Sequence, residues 1–125
     1  MVNFYYAAAA AIAVLTCAVH VFAGGVFVVR PLLAAPRLGK ASRWLNYYCW
    51  HNTTVTIAAL AGCFAYAASH AAGQDLARLA TILAASFALL SAAVALKGGI
   101  NPLRFPSTSL FALTALFGFY GGMGA

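Results

Sequence analysis

Acidic side chains are almost missing from this chain: Asp75 is the single carboxylate side chain in 125 residues. Chemistry that needs paired carboxylates, whether acid–base hydrolysis or a di-metal carboxylate centre, has no residues to use. A proton-coupled carrier built on an intramembrane Asp or Glu is excluded too, because Asp75 falls in a turn between apolar runs. Charge of either sign is scarce, at 6% of residues, whereas 65% are hydrophobic and the mean hydropathy is +0.93. Soluble domains are roughly half apolar and a quarter charged, and a soluble domain this short could not hide so much apolar surface in one core. The composition is that of a membrane protein.

Cysteine is sparse and unpaired. Cys17, Cys49 and Cys63 form no CxxC motif, so neither a disulfide framework nor an oxidising compartment follows. The glycine pairs Gly24-Gly25 and Gly98-Gly99 lack the spacing and strand context of a phosphate-binding loop. No Lys or Arg precedes Arg30. The basic start of a signal peptide is therefore absent, and the first apolar run is expected to be retained.

With about 20 residues needed per crossing, the length allows at most four crossings with short turns. The apolar runs and their Pro, Gly and Asp punctuation predict an all-α integral membrane protein. It is a single transmembrane domain over residues 1–125, with helices at about 4–30, 42–72, 76–96 and 106–122. Pro31 is expected to end or kink the first helix, Ser42 to cap the second, and Asp75 to cap the third. Gly73 is expected to end the second in a left-handed conformation, and Pro106 to open the fourth. Short turns make sequence neighbours antiparallel, giving a four-helix bundle.

Six of the seven cations are Arg30, Arg37, Lys40, Arg43, Lys97 and Arg104, which flank the turns between helices 1 and 2 and between helices 3 and 4. The positive-inside rule then puts both basic turns in the cytoplasm and both termini on the other side. A bacterial inner membrane with periplasmic termini fits this pattern. Cations placed this way serve topology and lipid phosphates rather than nucleic acid. Arg30, Arg37, Lys40 and Arg43, with Trp44 and Trp50, form a candidate contact for an anionic lipid or an acidic partner. Alanine makes up about a quarter of the chain, and small residues let transmembrane helices approach closely or dock on other membrane subunits.

Two histidines carry the remaining candidate chemistry. His20 lies inside the first apolar run, ten residues before Arg30, or roughly 15 Å at the rise of an α-helix. His51 follows the Tyr47-Tyr48-Cys49-Trp50 aromatic cluster. An intramembrane ionisable residue is a functional candidate, and two histidines on adjacent helices at one depth could hold a b-type haem. Cys17 and His20, three residues apart on one helix face, could contribute with His51 or Cys49 to a soft-metal site. Asn52, Thr53, Thr54 and Thr56 make the start of helix 2 polar, and are expected to hydrogen-bond to a neighbouring helix or to meet a lipid headgroup or quinone ring. Together these readings predict a small non-catalytic subunit that packs against, or helps assemble, a larger energy-transducing or transport complex. The alternative is a haem-, quinone- or metal-binding electron-transfer bundle using His20 and His51.

Overall fold

The computed structural model describes residues 1–124, and no strand occurs among them. The described residues form four helices: α1, Phe4–Ala34; α2, Lys40–Ser69; α3, Gln74–Lys97; and α4, Pro106–Met123. A short 3₁₀ turn, Ala71–Gly73, leads into α3, and another, Pro102–Arg104, leads into α4.

Two of these, Phe4–Ala34 and Ala71–Lys97, are long and apolar enough to cross a membrane, each with a mean hydropathy of 2.3. Only 17% of the most apolar window of each is buried within the protein. The core helix of a soluble protein would hide most of that window, whereas a helix apolar all round and left uncovered suits lipid. α2 is 30 residues long, but its first half carries Lys40, Arg43, Asn46, His51 and Asn52. α4 opens on Pro-Ser-Thr-Ser and closes on Gly-Gly. These polar ends are why neither matches the other two in hydropathy.

α1 is not a uniform helix. Phe4–Ala18 and Arg30–Ala34 are α-helical, but Val19–Val29 is wound as a π-helix. At its end the Arg30 N–H donates to the Gly25 carbonyl, five residues back rather than four. Pro31 follows directly, where the wide register hands back to the α-helical one. With no N–H to place, proline fits that joint, so the helix runs on to Ala34 instead of ending. The α-helical rise therefore fails over this stretch, and His20 lies nearer Arg30 than 15 Å.

Three other caps differ from the sequence reading. Gly39 precedes the first residue of α2, and Ser42 lies inside that helix, its carbonyl accepting from Asn46 Nδ2 at 2.8 Å. α2 stops at Ser69, where His70 turns extended (φ −131°, ψ 117°). Gly73 keeps a right-handed conformation and caps α3. Its glycine identity answers a close approach, since a Cβ there would sit 2.7 Å from Ala67 Cα. Asp75 lies within the first turn and pairs with Arg78 at 3.0 Å. Pro106 opens α4 as expected. The end of α3 is a Schellman cap: Gly99 is left-handed (φ +69°), Ile100 N–H donates to Ala95 O at 2.8 Å, and Gly99 N–H donates to Leu96 O at 3.1 Å.

The core gathers at one end of the molecule. Tyr6, Ala9, Ile57, Leu60, Phe64, Ala67, Ala77, Ala80 and Phe111 pack together. α1 lies against α2 and α4, and α3 lies mainly against α4. Small residues make this possible: a Cβ on Gly121 would run into the Tyr6 ring, and one on Gly118 into Thr81 Oγ1 and the Phe64 ring. Asn3 ties the same end together. Its Oδ1 accepts from Tyr6 N–H at 3.2 Å, its Nδ2 donates to Gly121 O at 3.0 Å, and its own N–H donates to Ala68 O at 2.8 Å. The buried hydroxyls of Thr16 and Thr114 donate to Ile12 O and Leu110 O within their own helices. Beyond this end the packing loosens. No residue of the π-helical stretch is buried, nor is any residue of α2 before Ile57.

Candidate functional site

The candidate residues cluster in the loosely packed half. His20 lies on the π-helical stretch, and its ring stacks on that of Trp50 with centroids 3.8 Å apart and planes 16° from parallel. The His20 Nε2 atom is 3.2 Å from the Trp50 carbonyl. A carbonyl only accepts, so Nε2 carries the proton in this contact. The same carbonyl accepts from Thr54 Oγ1 at 3.2 Å. Gly24 makes room for this contact, because a Cβ there would overlap the far edge of the indole ring.

His51 is the residue after Trp50, which places the two histidines at one level along α2. They do not meet. Successive residues on an α-helix point about 100° apart, and His51 is exposed, its ring edge-on to Tyr47 at 4.5 Å. Trp44 in turn stands edge-on to Tyr47 at 5.8 Å, so Trp44, Tyr47 and His51 form an aromatic ladder up one face of α2. His70 is exposed at the opposite end of α2, stacked on Tyr66. Cys17 is half-buried near the core and Cys49 is exposed. No three His, Cys, Asp or Glu side chains gather among the described residues.

Replacing His20 by alanine removes both the stack and the hydrogen bond, and should lower stability by about 1 kcal/mol. His20→Phe keeps the stack and should lose about half of that. In a Trp44→Phe background, Trp50 is the sole tryptophan. Its emission should shift to the red in His20→Ala and hold in His20→Phe. An unchanged spectrum in His20→Ala would show that the rings do not meet.

The first basic turn divides its cations between two jobs. Arg43 folds back, its Nη2 donating to Ala35 O at 2.6 Å and Leu38 O at 3.3 Å, and so closes the connection from α1 to α2. Its Nε is buried without a partner. Arg30, Arg37 and Lys40 are exposed, as is Trp44, while Trp50 is half-buried. Of the residues assigned to a lipid or partner contact, Arg43 and Trp50 are thus engaged within the protein.

The threonines at the start of α2 bond to their own helix and not to a neighbour. Thr53, Thr54 and Thr56 donate to Cys49 O, Trp50 O and Asn52 O, at 3.0, 3.2 and 2.8 Å. A hydroxyl four residues after a carbonyl reaches it without any second helix. Asn52, Thr53 and Thr56 instead edge a cleft of about 390 Å³ between α2, the end of α3 and the start of α4. Its remaining walls include Phe87, Leu90, Val94, Phe105 and Phe111. Beside it, Ser91 Oγ meets Ser107 Oγ at 2.7 Å and Thr108 Oγ1 at 2.8 Å, a hydroxyl cluster joining α3 to α4.

Fold and site together define an all-helical protein with two helices able to cross a membrane by length and hydropathy, and an open cleft at its loosely packed end. Comparison of the chain with family models, with characterised proteins and with solved structures returns no match.

Proposed function

We propose that this protein is a small non-enzymatic membrane subunit, an antiparallel bundle crossing the membrane four times, that packs against or helps assemble a larger energy-transducing or transport complex. The observation that carries this reading is the lopsided packing. One end has a closed core, while the π-helical stretch presents Phe22 at 76% exposure and Phe27 at 79% with nothing of the chain's own to cover them. An apolar surface this continuous suits lipid or a neighbouring helix. The scarcity of acid–base groups supports a role without catalysis. Purified at native expression in mild detergent, the protein should co-elute with other membrane subunits. Elution as a lone monomer would overturn the proposal.

The setting we propose is a bacterial inner membrane, with the turns holding Arg37 and Lys97 in the cytoplasm and both termini in the periplasm. In a variant lacking Cys17, Cys49 and Cys63, an impermeant maleimide should label Ala72→Cys in intact spheroplasts and leave Ala41→Cys unlabelled until the membrane is broken. Labelling of Ala41→Cys in intact spheroplasts would reverse the orientation.

A second reading, a haem-, quinone- or metal-binding bundle, draws support from the common level of His20 and His51. For haem, His20 would have to exchange its hydrogen bond to Trp50 O for iron or ligate through Nδ1, and His51 would have to turn away from Tyr47. A Soret band in the natively purified protein would favour this reading over the first.

A further inference from the structure

We infer that the cleft between α2, α3 and α4 holds one acyl chain of an anionic phospholipid, with the lipid phosphate bound between Lys97 and Arg104. The inference rests on the membrane-spanning reading above and assigns that reading a lipid site away from the first basic turn.

The cleft walls are mostly carbon: Phe87, Leu90 and Val94 from α3, with Phe105 and Phe111 from the α4 side. A space of about 390 Å³ is far too large to stay empty, because each wall atom would lose its contacts on that side. At roughly 30 Å³ per heavy atom in a liquid it takes about a dozen methylene-sized groups, enough for much of one acyl chain. Its polar edge is confined to Asn52, Thr53, Thr56 and the Ser91–Ser107 pair, groups suited to the ester region of a lipid.

Charge selects the head. Lys97 follows Val94 by three residues and so continues the same face of α3, and Arg104 directly precedes Phe105. Both cations are exposed. The chain's one acidic side chain, Asp75, is paired with Arg78 at the other end of α3. No carboxylate side chain remains to neutralise Lys97 or Arg104, so the counter-charge comes from outside the protein. At headgroup depth that anion is a lipid phosphate. In the first basic turn Arg43 is instead spent on the Ala35 and Leu38 carbonyls.

The test uses the full chain in nanodiscs of equimolar phosphatidylglycerol and phosphatidylcholine, released gently and read by native mass spectrometry. Retained phosphatidylglycerol should exceed phosphatidylcholine by about tenfold, the scale expected for two surface cations acting on one phosphate. Lys97→Gln with Arg104→Gln should bring the ratio near parity. Val94→Trp, which fills the cleft from an exposed position, should lower retention of both lipids. Parity in the wild type, a preference that persists in the double variant, or retention left unchanged by Val94→Trp overturns the inference. So does a retained quinone or peptide that is displaced by Val94→Trp. Alkaline carbonate extraction separates the two levels. Protein that stays in the membrane pellet but shows no lipid preference refutes the site alone, and protein released to the supernatant refutes the membrane reading itself.

Discussion

Gly118→Leu and Gly121→Leu should each destabilise the protein by about 3 kcal/mol, the upper range for overpacking, because nothing facing these positions can yield. Gly118 faces Phe64, which is 0% exposed, and a Cβ there would stand 2.9 Å from Phe64 Cε1 in addition to overlapping Thr81 Oγ1. Gly121 faces Tyr6, 1% exposed, with a Cβ reaching 2.5 Å from Tyr6 Cε1. Tyr6 and Phe64 lie against each other, ring centroids 6.3 Å apart, so neither ring can retreat into space held by the other. Gly62 supplies the control, since it lies on an exposed face of α2 with nothing within 4 Å of a Cβ. Gly62→Leu should be close to neutral in thermal unfolding, followed through the reactivity of the half-buried Cys63 thiol. If Gly118→Leu melts with Gly62→Leu, the close approach of α4 to α2 and α3 is wrong.

Phe64→Ala should cost about 2–3 kcal/mol. In soluble proteins truncating a buried phenylalanine removes about 3–5 kcal/mol, part of it the transfer of the ring out of water. That part shrinks for helices that stay in lipid when they separate, which leaves mainly the lost contacts and the cavity. Tyr6, Gly118 and the α3 wall all border the hole, and the small residues around it cannot expand to fill it. Phe22→Ala, on the exposed π-helical stretch, should change stability by less than about 0.5 kcal/mol. Detergent-titration unfolding of the two variants side by side checks the contrast, and equal losses would show that the core does not lie where Phe64 is.

Much of the fold can be read from residues alone. Unbroken apolar runs mark the helices, and Pro106 and Gly98-Gly99 punctuate them where chain geometry requires. The misjudged caps share a cause. Local preference points to Ser42, Gly73 and Asp75, yet Gly39 and the tight Gly73–Ala67 approach are set by how α2 leaves the turn and how α3 comes back against it. The π-helical stretch has no local signature. Gly24 permits it, but the reason lies 26 positions on, in the indole ring that Gly24 accommodates. For the site, the sequence names His20 and Trp50 separately without showing that they stack. It gives no sign that His51 packs on Tyr47 and not on His20. The cleft is harder still, because its walls come from three helices and its two threonines satisfy themselves within their own turns.

The knot formed by Asn3, Tyr6, Ala68 and Gly121 also bears on biosynthesis. It joins α1 to α4, the two helices farthest apart along the chain, so the Tyr6 side chain stays unmatched until α4 has been made. A nascent chain arrested before Gly118 should therefore remain a loose set of helices, open to capture by chaperones or by quality-control proteases.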